Sequence, residues 1–179
     1  KGPAGALYGS GLGGILKINT RDISEKENGL SFKSQLGSFG SESFSLGANY
    51  AKNNTGFHLF ASDYSSEGYR ENNSFRRNTL FLEAQHQYKK TTLSLMLLYT
   101  YIFGEIPSSI DAETFLNTPQ KAAQNWLNVE GYEKYHKLGI STTANSLLGN
   151  NFSNKFSANL VYKNPYEVRP FNILDDNNY

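Results

Sequence analysis

From Gly29 onward, apolar and polar residues alternate with a period of two, the spacing that sends successive side chains to opposite faces of a strand. Seven runs show it. The first has Leu30, Phe32 and Leu36 on one face, with Lys33 and Gln35 on the other. The second sets Phe44, Leu46, Ala48 and Tyr50 against Ser43, Ser45, Gly47 and Asn49. The third sets Phe57, Leu59 and Ala61 against His58, Phe60 and Ser62. The fourth sets Leu80, Leu82, Ala84 and Tyr88 against Thr79, Glu83, Gln85 and Gln87. Leu93, Leu95, Leu97, Tyr99 and Tyr101 mark the fifth, and Leu138, Ile140 and Ala144 the sixth. The seventh sets Phe156, Ala158, Leu160 and Tyr162 against Lys155, Ser157, Asn159 and Lys163.

A soluble β-sandwich would alternate in the same way with its apolar faces turned inward. Strand length separates the two architectures. The runs are about ten residues long, against ~5–6 for an ordinary strand. Ten residues at ~3.3 Å each, tilted by ~45°, span roughly 23 Å, close to the ~25 Å apolar band of an outer-membrane barrel.

The connections alternate too. Residues 52–56, 89–92 and 149–154 are short polar turns, whereas 65–78 and 103–134 are long excursions, and a further polar segment follows Tyr162. Only the turn at 37–41 is tight at the long-loop rim. Short turns at one rim and long loops at the other mark a transmembrane barrel. Tyr50, Tyr88, Tyr99, Tyr101 and Tyr162 lie near run ends, where girdle residues belong. The expected fold is therefore all-β: the wall of an antiparallel transmembrane β-barrel. Seven strands are an odd number with open edges, so the expectation is an incomplete part of a larger barrel, with Lys1 and Tyr179 as cut ends.

Composition narrows the chemistry. With no Cys, a disulfide, a thiolate zinc site and a cysteine nucleophile are all excluded. A net charge of +1 argues against a partner bound by bulk charge, so no nucleic acid is expected. No run reaches the ~20 apolar residues of a membrane helix, and the first residues lack the pattern of a signal peptide. No nucleophile–base pair or carboxylate couple stands out, so no enzyme is expected. His58, His86 and His136 fall on different runs without ligand spacing, so neither a metal site nor a cofactor is expected.

Residues 9–14, Gly-Ser-Gly-Leu-Gly-Gly, fit the G-x-G-x-x-G phosphate loop, but neither the preceding strand nor the following helix is there. The wider pattern has a better match. Gly2, Pro3, Tyr8, Gly9, Gly13, Gly14, Asn19 and Thr20 resemble the end of the plug domain in TonB-dependent outer-membrane receptors, and the first barrel strand follows as that family requires. Such glycines permit positive φ and close backbone packing inside a barrel. Residues 36–40 resemble the family's first outer hairpin, 63–72 its third strand entering a loop, and 162–174 its strand-seven exit. Gly13-Gly14, where glucan importers usually carry Asn-Gly, favours the siderophore and iron-chelate branch. Lys17 departs from the pattern, which usually has a smaller or apolar residue there.

The resemblance implies a domain plan: 1–22 as the C-terminal remnant of the plug, 23–28 as linker and 29–179 as the first part of a ~22-stranded barrel. It further implies a receptor in the outer membrane of a Gram-negative cell that imports a ferric chelate, the iron being cargo. Its partners would be the TonB energy-coupling complex, reached through a region N-terminal to this sequence, together with outer-membrane lipid, lipopolysaccharide and the iron chelate. Tyr69, Arg70, Arg76 and Arg77 share the first long loop and are candidates for steering an anionic ligand, or for meeting lipopolysaccharide phosphates or water. Trp126 in the largest loop is a candidate stacking platform or a loop-packing residue. Alternatives are a passive porin or structural barrel, import of cobalamin or an oligosaccharide, and a soluble β-sandwich binding module.

Overall fold

The computed structural model describes residues 28–149 and 152–170. Seven strands follow in chain order: β1 (Gly29–Gly37), β2 (Ser41–Lys52), β3 (Thr55–Ser66), β4 (Phe75–Tyr88), β5 (Thr91–Glu105), β6 (Tyr132–Leu148) and β7 (Phe152–Val168). They form one sheet in the order β1-β2-β3-β4-β5-β6-β7, with every neighbouring pair antiparallel. The fold is all-β. Two short helices, α1 (Ala112–Asn117) and α2 (Gln124–Asn128), lie between β5 and β6. The glycine pattern at Gly2–Thr20 and the 1–22 segment lie outside the described residues.

The register turns seven separate alternations into two continuous faces, because directly paired residues share a face. Phe32 pairs with Leu46, Leu46 with Ala61, Ala61 with Leu80, Leu80 with Tyr99, Tyr99 with Leu138 and Leu138 with Tyr162. Leu82, Leu95, Leu97 and Leu160 fall on that same face, while Lys33, Gln35, Glu83 and Lys155 fall on the other. A one-residue slip at any pairing would set the slipped strand's apolar residues beside its neighbour's polar ones, so the pattern itself fixes the register.

A single layer leaves this apolar face uncovered. Leu46 is 46% exposed, Leu95 44% and Leu160 65%. Among the strands' exposed large hydrophobics, only Leu147 and Val161 lie on the polar face. The one buried hydrophobic side chain among the described residues is Ala122, in the connection between β5 and β6. Strands β1 and β7 are the edges of the described sheet and are exposed along almost their whole length.

Strands are longer than the apolar runs that announced them. Pairing continues to Ser66 and Phe75 across β3 and β4, and to Glu105, Tyr132 and Val168 across β5, β6 and β7. The segment after Tyr162, expected to leave the sheet, stays paired for six more residues. The ladder is built from backbone groups and persists past the end of the aliphatic band. The long connections shrink accordingly to 67–74 and 106–131. At the opposite rim, residues 53–54 and 89–90 turn in two residues, with Asn53 (φ 53) and Lys89 (φ 52) in the left-handed region.

Each large apolar side chain left in water forgoes roughly 1.5–3 kcal/mol of transfer free energy. Refolded in buffer without detergent, the 28–170 segment is therefore expected to self-associate. In mild non-ionic detergent it should stay dispersed, as size-exclusion chromatography would show. A monodisperse β-rich monomer in plain buffer would contradict the uncovered face.

Candidate functional site

Three connections meet at the long-loop end and fold as one cap. The turn 38–40 between β1 and β2 accepts a hydrogen bond at Phe39 O from the Glu67 amide at 2.9 Å and another from Ser66 Oγ at 3.2 Å. The Phe39 and Tyr69 rings meet edge-on at 5.4 Å. Gly68 holds the 67–74 connection with φ +82, and a Cβ there would overlap the carbonyl oxygen of Asn73, so only glycine fits.

The 67–74 connection in turn organises 106–131. Arg70 donates through Nε and Nη2 to Lys121 O (3.0 and 2.7 Å) and through Nη1 to Ser108 O (2.7 Å), with a longer bond to Pro107 O at 3.5 Å. Asn72 Nδ2 donates to both Ile106 O and Gly131 O at 2.9 Å, closing the neck of the larger loop. The Glu71 amide donates to Gln120 O at 2.7 Å, and its carboxylate takes the Lys121 ammonium at 2.9 Å and the Ala122 amide at 3.3 Å. The bond from Lys121, then that from Ala122, holds the Glu71 carboxyl below its usual pKa. Asp111 caps α1 by accepting the Thr114 amide at 2.7 Å, and that bond lowers its pKa as well. Trp126 lies half-buried with its indole against Gly131, where a Cβ would collide with the ring.

The grouped arginines come apart in space. Arg76 and Arg77 are adjacent in β4 and therefore face opposite ways. Arg76 lies on the apolar face and pairs with Asp63 at 3.3 Å, beside Asn78, which bonds the same carboxylate. Arg77 lies on the polar face, opposite Tyr64 and Ile102. It lines a cleft of about 380 Å³ with Gln35, Ser43 and Tyr64, between the first four strands. Tyr64 is held by the Phe75 ring at 5.8 Å, and the same face carries Lys163 over the Tyr135 ring at 4.2 Å. The cleft therefore joins a guanidinium, an amide, a hydroxyl and a phenol, with Glu42 also in its lining, groups suited to a hydroxylated ligand or to an anion paired with Arg77.

The histidines do not converge. His58 bonds Asn49 Oδ1 (2.6 Å) on the polar face, His86 bonds Thr55 Oγ1 (2.8 Å) on the apolar face, and His136 bonds the Tyr99 hydroxyl (2.8 Å) near the long-loop end. Glu83, directly opposite His58 on the polar face, is only 5% exposed. Neither residue is without a partner, nor is Gln85.

Two outcomes test the cap. Arg70→Lys replaces a planar fork with a point charge that cannot span the same carbonyls. It should cost the cap about 1–3 kcal/mol and speed hydrogen exchange at Ala123, whose amide bonds Pro107 O. Unchanged exchange there would remove Arg70 as the clamp. The second outcome follows from Glu71. Its folded pKa is depressed, so its contribution is present above the unfolded value and lost as pH falls through the folded one. Acidification below the ordinary carboxylate range (~4) should loosen 106–131, and Glu71→Gln should weaken that pH dependence, leaving the part contributed by Asp111 at the start of α1. A variant that keeps the same pH profile would assign it elsewhere.

No protein-family model matches this sequence, and no curated protein is significantly similar to it.

Proposed function

We propose that this chain is part of the wall of a TonB-dependent outer-membrane receptor that binds a ferric chelate at its long-loop end and imports it. The observation that carries the reading is the sheet itself: seven antiparallel strands in chain order, an aliphatic face exposed in a single layer, a polar face opposite, and long connections at one end only. Lipid against the aliphatic face would supply the cover that the described residues do not, and further strands would pair the two edges of the described sheet. The plug-end glycine pattern supports the family by sequence alone.

Recognition in this reading rests on binding energy, without a reaction. The cap of 38–40, 67–74 and 106–131 stands at the outer mouth, and the Arg77 cleft opens on the side that would face the lumen. A guanidinium there steers an anionic chelate inward and pairs with its carboxylate or catecholate oxygens. Iron arrives inside the chelate, and release would be driven by the energy-coupling complex acting on the plug. A passive barrel is the other reading of the same sheet; it would conduct without TonB.

Three measurements test the proposal. In the full-length receptor, Arg77→Gln should slow chelate association and flatten its dependence on salt, while Arg76→Gln, on the opposite face, should leave both unchanged. Equal effects would dissolve the assignment of the cleft. Leu95→Arg should destabilise the membrane-embedded protein by roughly 2–4 kcal/mol, and Gln85→Arg by clearly less. Growth on the ferric chelate should vanish when either this receptor or TonB is deleted. Growth that survives in a strain without a second importer would end the transport reading.

A further inference from the structure

The polar face is not polar throughout. One row across it reads Gly47, Phe60, Phe81, Leu98, Gly139 and Val161, each paired with the next. Phe60, Phe81 and Leu98 are half-buried there. Glycines inside strands, such as Gly47 and Gly139, let another backbone come close. The next row toward the short turns carries His58, Glu83 and Met96. His58 meets the Phe81 ring edge-on at 5.7 Å. Glu83 is 5% exposed, whereas Leu95 on the aliphatic face is 44% exposed. An apolar belt beside a sheltered carboxylate suits a partner that brings one apolar and one cationic side chain.

The chain itself contains such a partner. Asn28 Nδ2 donates to Ala51 O at 3.0 Å, and Asn28 Oδ1 accepts the Ala51 amide. Both pairing groups of Ala51 are thereby occupied, and the β1–β2 ladder closes at Asn28. Gly29 and Glu83 share one row, three strand spacings or ~14 Å apart at the backbone. The nine residues 20–28 can reach ~30 Å when extended, enough to bridge that gap. Residues 15–19, Ile-Leu-Lys-Ile-Asn, lie outside the described residues; an extended run would set Ile15, Lys17 and Asn19 on one side. Along β4 the polar face presents Phe81, Glu83 and Gln85 at the same two-residue spacing. Laid parallel to β4, the segment sets apolar on apolar, ammonium on carboxylate and amide on amide. Laid antiparallel, it sets Asn19 on Phe81 and Ile15 on Gln85. Connectivity favours the parallel direction too, since β4 descends toward the short turns and β1 starts near that end.

We propose that residues 15–19 dock on the polar face along β4, with Lys17 paired to Glu83 and Ile15 resting on the Phe60–Phe81–Leu98 belt. The inference goes beyond the proposed function and does not depend on transport. Charge complementarity and the matched spacing select this segment as the occupant. The pairing also accounts for Lys17, the residue that departs from the glycine pattern around it. A lysine there is favoured where a carboxylate faces it across two layers ~10 Å apart, a gap their two side chains together can span.

The test uses the full-length protein with any other cysteine replaced, and a short bis-maleimide as cross-linker. Lys17→Cys should link to Glu83→Cys in clear excess over two controls. One is Leu16→Cys with Glu83→Cys, because Leu16 turns the other way. The other is Lys17→Cys with Lys33→Cys, on the same face but three strands from β4. Equal yields in all three pairs, or a preference for Lys33, overturn the docking register. Links that join two chains give the belt to a second copy and overturn the segment as its occupant. The charges are tested separately, by the rate at which maleimide labels Ile15→Cys. Glu83→Lys and Lys17→Glu should each speed labelling by at least about tenfold, as expected when one partner of a sheltered pair is reversed. The two reversals together should restore the slow rate. Single reversals that label no faster, or a double reversal that stays fast, overturn the ion pair.

Discussion

A one-layer sheet cannot cover its own apolar face, and most of what this chain does follows from that. In a sandwich or an α+β fold, a second layer takes up the aliphatic residues. Here Leu46, Leu82, Leu95, Leu97 and Leu160 share a surface with nothing else of the described chain upon it. The hydrophobic effect, the dominant favourable term in folding, is left largely unspent until something outside the described residues meets that surface. The backbone ladder fixes where each leucine points; the surroundings decide what those leucines are worth.

The long-loop end solves a different problem. Long connections without structure of their own are uncommon, and 106–131 carries two short helices and is tied down by polar contacts. Arg70, Glu71 and Asn72, three consecutive residues of a neighbouring connection, reach its carbonyls and amides at both neck and middle. Ala122 is buried at the centre of that contact. The cap therefore behaves as one body, and the Arg77 cleft lies beneath it on the polar face. A rigid mouth over a polar cleft suits recognition of a small, charged ligand, as the proposed function requires.

The middle of the sheet was legible in the sequence because period-two alternation reports both the strand and its faces. Leu80, Leu82 and Glu83 are assigned to their sides by the alternation alone. The strand ends were not, since pairing continues through Arg76, Arg77, Lys134 and Asn164, where side-chain polarity no longer alternates. That overrun concealed the split between Arg76 and Arg77. Extending the parity of Leu80 back by four residues would have revealed it. The clamp had no signal of its own: Arg70 reaches Lys121 across fifty-one positions, a contact that neither spacing nor composition encodes. Gln35, Ser43 and Tyr64, which complete the cleft, come together only through the register of three strand pairs.

In the proposed reading, one face of this sheet meets hydrocarbon and the other water. These 179 residues contain no cysteine, so with any cysteine elsewhere in the full-length protein replaced, single cysteines can carry a nitroxide at each position of β5 in the membrane. Collision rates with oxygen and with a water-soluble nickel chelate, measured from Leu93 to Tyr101, test the claim directly. A period of two is expected, with oxygen favoured at Leu93, Leu95, Leu97 and Tyr99 and the nickel chelate favoured at Ser94, Met96, Leu98 and Thr100. Accessibility without alternation, or with the two sets exchanged, would contradict it.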